Sequence, residues 1–187
     1  MVDRTAGDAM STTRFVLTPT AIVVDESLLL PDEWADPPRV GTRFEADASL
    51  FNSHWFGPGP HETYPDRASS GLTRIWSSTV HQEHHDYVVP QEHGAHETTR
   101  WFELAAGGHG LRFDMANPLS VSARFAHDAA LTRATTTAEL EQADTIEVHI
   151  DAAQRGLGTG ACGPDTATEH RIDPGWHRWR FTITEVI

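Results

Sequence analysis

The sequence predicts an all-β fold, arranged as an antiparallel sandwich or barrel. Short runs rich in β-branched and aromatic residues are separated by turn-forming residues, and only one stretch suits a helix. Strands without interleaved helices are typical of antiparallel architectures. The predicted strands are RFVL, AIVV, RVGTRFEA, LTRIWSSTV, TTRWFELA, GLRFDMA, LSVSARFA, DTIEVHIDA and WHRWRFTITEV.

The last of these runs has the clearest strand pattern. One set of alternating residues is Trp176, Arg178, Arg180, Thr182 and Thr184, and the other is His177, Trp179, Phe181 and Ile183, with Val186 nearby. Gly107-Gly108 and Asn117-Pro118 predict tight connections between strands. Asp128 to Leu140 is the one segment that can hold a helix, and its threonine run predicts a short one.

Composition limits the classes of partner. The 187 residues suit one domain, and the net charge of −13, with arginine as the only strong base, argues against nucleic acid. No apolar run reaches the length of a membrane span, and the N-terminus lacks the apolar core of a secretory signal. A single cysteine fits a reducing compartment, so we expect a cytoplasmic chain without a membrane partner. Residues 1–12 are small and polar and predict a disordered tail, followed by one domain over residues 13–187.

The densest local signal is WFGPGPHETYPDRASS, from Trp55 to Ser70. Three prolines in this run fix φ and remove backbone donors, which disfavours a helix or a central strand. Arg67 lies close to Glu62 and Asp66 and can pair with either. The run therefore predicts a rigid, ordered loop.

Histidines invite a metal interpretation, above all in HQEHHDY. In a strand, His81 and His85 would share one face and His84 the other, so the three would not converge on an ion. We therefore predict no metal site in this chain.

The segment VVPQEHGAHE offers a possible acid–base pair, Glu92 with His93 or His96. Adjacent residues of an extended chain point to opposite faces, so Glu92 and His93 cannot easily act together. No spacing in the sequence singles out the two opposed carboxylates that a glycosidase needs. Cys162 lacks a nucleophile signature and is interpreted as a packing residue.

A glycine-rich stretch, QRGLGTGACGPDT, follows a predicted strand. Pro164 and its neighbours prevent a helix from starting there, which argues against a dinucleotide fingerprint. The stretch predicts a loop whose backbone can lie close to another surface or a ligand.

Three separated segments together resemble the C-terminal domain of the β-galactosidases of glycoside hydrolase family 2. GPGPHETYPDR is similar to the family pattern G-x-G-P-x-E-x-Y-P-D-R, and YVVPQEHG to Y-x-x-P-Q-E-N-G, with His93 in place of Asn. RGLGTGACGPDT resembles the family's final glycine-rich loop. The order and spacing of the three also agree, over about residues 13 to 187.

The resemblance implies an antiparallel supersandwich related to galactose mutarotase folds, and the hydrolysis of terminal β-D-galactosides. It places both catalytic glutamates, and the Mg²⁺ and Na⁺ ligands, on a separate TIM-barrel domain. We therefore expect no catalytic residue and no cofactor in this chain. The chain is expected to lack the family domain's first strands, and so to pair with a complementary catalytic chain or with itself.

One edge of the galactose pocket is what the resemblance assigns to this chain. The positions are those of the final loop, Gly160, Ala161, Cys162 and Gly163. Cys162 stands where some relatives carry a sugar-stacking Trp, so these residues would shape the pocket wall and add little affinity for galactose. Two alternatives stay open: a free-standing carbohydrate-binding sandwich, and a mutarotase-like enzyme using Glu92 with His93 or His96.

Overall fold

A computed structural model describes residues 1–158 and 163–187, and these residues form an antiparallel β-structure. The ten strands are β1 (Val2–Ala6), β2 (Ala9–Leu17), β3 (Ala21–Leu30), β4 (Arg39–Asp47), β5 (Asn52–Gly57), β6 (Arg74–Thr79), β7 (His96–Ala106), β8 (His109–Arg124), β9 (Thr145–Gln154) and β10 (Gly175–Val186). The prediction of an all-β, antiparallel sandwich is confirmed.

Helical structure among the described residues is brief. The predicted helical segment holds α1 (Asp128–Arg133), followed by a 3-10 turn at Thr137–Glu139. Further 3-10 turns lie at Asp32–Trp34, Pro65–Ser70 and Thr168–His170. None of the helices in the described ranges is long and apolar enough to cross a membrane.

The strand order along the sheet is β1-β2-β3-β10-β8-β7-β5-β6. Strand β8 is long enough to change neighbours. Its first part, to Met115, pairs with β10, and its last part, from Ser120, pairs with β9, which in turn pairs with β4. The predicted connection at Asn117-Pro118 is therefore wrong. The strand continues through it, and Pro118, which has no amide hydrogen to donate, lies where the pairing passes from β10 to β9.

Strands β4 and β9 pack against the inner face of the large sheet and close the sandwich. Phe44 of β4 lies 5.3 Å, between ring centroids, from Phe113 of β8. Trp179 of β10 donates from its indole nitrogen to the hydroxyl of Thr42 at 2.8 Å. Phe113 is fully buried at the centre and also contacts Phe181, with centroids 6.4 Å apart. The predicted alternation of the last strand is confirmed, since Trp179 and Phe181 are buried and Trp176 is exposed.

The first residues differ from the prediction of a disordered tail over 1–12. Val2–Ala6 and Ala9–Leu17 form an antiparallel hairpin that adds β1 and β2 to the edge of β3. Gly7, with a φ of +58°, stands in the tight turn between them. Backbone pairing with β3 orders a segment whose composition alone indicates disorder.

Candidate functional site

Glu62 connects the Pro-rich segment GPGPHETYPDR to the segment YVVPQEHG, called below the QEHG segment. One Glu62 oxygen accepts the backbone amide of Gly94 at 2.9 Å, and the other accepts the Tyr87 hydroxyl and the Arg67 guanidinium, the latter at 2.9 Å. The backbone amide of Thr63 also donates to the Ala95 carbonyl at 2.7 Å. The predicted pairing of Arg67 with Glu62 is confirmed, and the Pro-rich segment is an ordered loop joined to the QEHG segment.

Asp66 of the same loop binds the glycine-rich segment. Its two carboxylate oxygens accept the backbone amides of Leu157 at 3.1 Å and Gly158 at 2.6 Å. Gly158 has a φ of +66°, which favours glycine. A β-carbon on Gly156 would lie 2.8 Å from the Asp66 carboxyl carbon, so this close approach also requires glycine. The three family-like segments therefore lie side by side, connected by the hydrogen bonds of Glu62 and Asp66.

The base of the glycine-rich segment is held on its other side by Arg155. Its guanidinium donates to Asp36 at 2.8 Å, to both carboxylate oxygens of Asp165 at 3.0 Å, and to the Thr166 hydroxyl at 2.7 Å. Of the predicted pocket residues, Gly163 is described and exposed. Gly160, Ala161 and Cys162 lie outside the described residues.

The side chains of Glu92 and His93, the first possible acid–base pair, contact different residues. Glu92 points to Arg39 and Arg124, whereas the imidazole of His93 shares hydrogen bonds with the His84 ring at 3.1 Å and the Gln91 carbonyl at 2.9 Å. Glu92 and His93 therefore serve different surroundings, as the alternation of an extended chain predicts.

His96 is engaged elsewhere as well. Its ring stacks on Trp55, with centroids 4.0 Å apart, and lies 2.8 Å from the Glu83 carboxylate. Neither histidine of the candidate pair faces Glu92.

The histidines of HQEHHDY lie in a turn and in the irregular segment that follows it rather than in a strand, and they contact different partners. His81 stacks on Phe125 at 4.4 Å between centroids, and His85 packs edge-on against Tyr87 at 4.3 Å. His84 lies 3.0 Å from Asp86. The three side chains do not converge on one point, and the cause is their separate partners rather than the strand alternation assumed from the sequence.

A buried charged layer that the sequence argument missed lies on one face of β8 and β9. Glu147, His149 and Asp151 alternate along β9, opposite Arg124, Ser122 and Ser120 of β8. The intervening Ile146, Val148 and Ile150 face the apolar core. The signal was present as acidic and histidine residues at every second position of EVHID, a strand spacing that places all three side chains on one face.

Two arginines organise this layer. Arg124, 2% exposed, donates to Glu92 at 2.5 Å and to Asp128 at 2.6 Å. Arg39 contacts Glu92 and, at 3.2 Å, Asp151. The guanidinium groups thus join a loop carboxylate, a helix carboxylate and a strand carboxylate.

Burial and neighbouring charges lower the pKa of two carboxyl groups in the layer and raise that of a third. Burial opposes ionisation of Glu92, but Arg124 and Arg39 hold its pKa below the usual range. Burial likewise opposes ionisation of Glu147, yet hydrogen bonds from Arg43 and from the Asp128 amide lower its pKa to about 2. Burial prevails at Asp151 and raises its pKa to about 7 in spite of Arg39.

The side chains of Asp128, Glu147 and His149 lie close enough together to hold a cation. Arg124 lies 2.6 Å from Asp128 and 3.6 Å from Glu147, and Arg43 lies 2.7 Å from Glu147. The two carboxylates are therefore already neutralised by guanidinium groups, which would repel a metal ion. This arrangement favours a structural ion-pair network over a metal centre.

A cavity of about 670 Å³ opens above the charged layer. Three parts of the chain surround it, namely α1, residues 89–92 and the end of β9. The cavity also reaches the base of the glycine-rich segment at Gly156 and Leu157. Its polar lining includes Arg39, Glu92, Asp128, Gln154 and Arg155. Its apolar lining includes Pro38, Val89, Pro90, Leu131 and Leu157.

The fold and the joined segments define an all-β module with a polar cavity at one end, and comparison with known proteins places it in a family. The family model described as β-galactosidase small chain matches residues 2–184. The chain is 33% identical over 144 residues to a β-galactosidase of Arthrobacter sp. (strain B7), which covers 73% of this chain and 14% of that protein. The chain belongs to the β-galactosidase small-chain family.

Two further relatives show the same partial coverage. A β-galactosidase of Actinobacillus pleuropneumoniae is 28% identical over 87% of this chain and 16% of its own length. One from Kluyveromyces lactis is 26% identical over 91% of this chain and 17% of its own length. The chain therefore spans about a sixth of the length of these relatives.

Proposed function

We propose that this chain is the C-terminal module of a cytoplasmic β-galactosidase of glycoside hydrolase family 2, where it shapes the galactose pocket and makes subunit contacts. The two glutamates that cleave terminal β-D-galactosides, and the Mg²⁺ and Na⁺ ions, belong to a catalytic chain that partners it. The residues of this module that line the galactose pocket are Gly160, Ala161, Cys162 and Gly163.

The observation that carries the proposal is the double hydrogen bond from Leu157 and Gly158 to Asp66. It fixes the entry of the glycine-rich loop to a rigid, proline-bounded segment, which in turn is fixed to the QEHG segment through Glu62. A pocket wall must hold its position against a substrate, and backbone amides bound to a carboxylate supply that rigidity.

The ionisation of the charged layer supports a non-catalytic role for the isolated chain. Retaining glycosidases need one carboxyl group with a raised pKa facing a second, ionised one across the scissile bond. Glu92 and Glu147 are held ionised by arginines, and Asp151, whose pKa is raised, is only 2% exposed. A sugar therefore has no access to the carboxyl group of Asp151, the one of these three acids whose pKa is raised.

Association with a partner is supported by apolar side chains at the N-terminal edge of the sheet. Phe15 and Ile22 lie on the same sheet face as the buried Val24 and Phe181, yet Phe15 is 51% exposed. Leu17, on that face as well, is 74% exposed. Such an apolar extension of a core face is typical of a surface that another chain, catalytic or identical, covers.

The proposed function is tested by complementation. The Arthrobacter enzyme, truncated before its matched region, is mixed with this chain, and nitrophenyl-galactoside hydrolysis is followed alone and in the mixture. We expect turnover in the mixture only. Turnover by the purified chain alone, or none in the mixture despite complex formation by light scattering, would contradict the proposal.

A further inference from the structure

Two histidine rings, His84 and His93, face each other through one nitrogen each. The other nitrogen of each ring is already engaged, since His93 Nδ1 lies 2.9 Å from the Gln91 carbonyl and His84 Nε2 lies 3.0 Å from the Asp86 carboxylate. A carbonyl and a carboxylate can only accept, so each ring donates its N–H there. In neutral rings the facing nitrogens, His84 Nδ1 and His93 Nε2, are then both lone-pair acceptors, and they lie 3.1 Å apart.

Two lone pairs at this distance repel each other unless a positive ion lies between them. An additional proton and a metal ion are the two ions that can do so. Burial lowers the pKa of His93 in spite of its hydrogen bond to Gln91, and this opposes an additional proton on that ring. A metal ion, in contrast, binds the lone pair of a neutral imidazole. The buried ring therefore favours the metal ion.

The surroundings of the facing nitrogens are those of a pair of metal ligands. With metal–nitrogen bonds of about 2.0–2.1 Å, two nitrogens 3.1 Å apart subtend an angle of about 100° at the ion, close to the tetrahedral value. Histidines that bind a metal also donate their second N–H to a carboxylate or a backbone carbonyl, which fixes the ring and its tautomer. Asp86 and the Gln91 carbonyl supply these two contacts.

The site has room for an ion and is not occupied by a cationic side chain. Both rings line a cavity of about 10 Å³, which is on the order of one water molecule or ion. The His84 side chain is 25% exposed, so an ion can enter from solvent. The charge of Arg124 acts on His93, but Arg124 is paired with Glu92. Unlike the Asp128 and Glu147 carboxylates, the facing nitrogens accept from no guanidinium group in the described part of the chain.

We propose that a late first-row divalent cation such as Zn²⁺ binds between His84 Nδ1 and His93 Nε2, with water completing its coordination. Imidazole nitrogen suits these ions, whereas Mg²⁺ prefers oxygen ligands. The ion links residues 84–86 to the QEHG segment. The prediction of no metal site considered the histidines of HQEHHDY, and His93 lies outside that run. The inference goes beyond the proposed function, because it concerns this chain on its own and not the ions of a catalytic chain.

The experiment titrates the full chain with Zn²⁺ and, separately, with Mg²⁺ in a buffer without chelators. Nitrogen-resolved NMR of the imidazole rings identifies the nitrogens that respond, and calorimetry measures the affinity. We expect Zn²⁺ to shift the signals of His84 Nδ1 and His93 Nε2, and Mg²⁺ to leave them unchanged. Binding should weaken as the pH falls, because protons compete for the ligand nitrogens. The complementation assay does not depend on this site, so either idea can fail separately.

Variants locate the site. His84→Gln removes one ligand, and Asp86→Ala removes the carboxylate that orients the His84 ring. Each should weaken Zn²⁺ binding by about tenfold or more. Asp86 is exposed, so its variant tests the site even if His84→Gln folds poorly. His109→Gln, the same change as at His84 but in an exposed turn, should leave the affinity unchanged.

Three results would overturn the proposal. The first is Zn²⁺ binding that leaves the ring signals of His84 and His93 unchanged, or no binding by the folded wild-type chain. The second is an affinity of His84→Gln and Asp86→Ala equal to that of the wild type. The third is a proton between the two facing nitrogens that Zn²⁺ does not displace at neutral pH.

Discussion

Asp151 offers a direct test of how burial controls ionisation in the charged layer. Its carboxyl group is 2% exposed, has one oxygen 3.2 Å from Arg39, and has no donor to the other among the described residues. Burial raises its pKa from 3.8 to about 7. Replacing it by Asn keeps the shape of the side chain and removes the charge.

The direction in which Asp151 changes stability with pH follows from how tightly it binds a proton in the folded and unfolded states. Between its unfolded pKa of 3.8 and its folded pKa of about 7, Asp151 binds a proton more tightly in the folded chain. The folded state is therefore stabilised at low pH relative to high pH, and this contribution is lost as the pH rises. From about pH 5 to about pH 8 the loss amounts to roughly 2–3 kcal/mol of unfolding free energy.

The assay is urea unfolding, followed by tryptophan fluorescence, of the wild type and of Asp151→Asn across that pH window. The variant should gain roughly 2–3 kcal/mol relative to the wild type between the two ends of the window. Glu97, whose pKa burial also raises to about 7, is present in both proteins, and its charge is one of the groups that raise the pKa of Asp151. Asp144→Asn, at an exposed position, should run parallel to the wild type. A difference between Asp151→Asn and the wild type that is constant across the window would refute the reasoning.

Three further outcomes are expected. Asp66→Asn should speed hydrogen exchange at the Leu157 and Gly158 amides about tenfold, because the carboxylate that accepts both hydrogen bonds is lost. Unchanged exchange would show that Asp66 does not anchor the loop. Gly41→Ala should prevent folding or lower the melting temperature sharply, because its β-carbon would lie 2.5 Å from the Asp151 backbone; a melting temperature within error of the wild type would contradict this. Phe113→Ala should cost about 3–5 kcal/mol in denaturant unfolding as a fully buried side chain, and an equal loss from the half-exposed Phe15→Ala would argue against this core assignment.

Much of the strand structure was predictable, because strand signals are local. The alternation in the final run depends only on the two-residue period of a strand, and β10 follows it with Trp179 and Phe181 inside. The Gly107-Gly108 turn was predictable for a similar reason, since both residues take positive φ values. The short helix within residues 128–140 also agreed with its composition.

The failures lie where distant pairing overrides local preference. Residues 1–12 look disordered by composition, but β1 and β2 gain backbone hydrogen bonds from each other and from β3. Asn117-Pro118 looks like a connection, yet β8 continues through it because it exchanges one neighbouring strand for another there. Neither neighbour is visible in the local sequence.

The candidate site likewise has features that local sequence predicts and features that depend on distant contacts. The family, the order of its three characteristic segments and the Pro-rich loop can be recognised without the structure, because they depend on residue identity and spacing. The folded chain was needed to show that Asp66 binds the amides of Leu157 and Gly158, more than ninety positions further along. It was also needed to show that Glu92 faces arginines rather than His93. Contacts between residues so far apart are set by how the strands pair and pack, and that information is distributed over the whole chain.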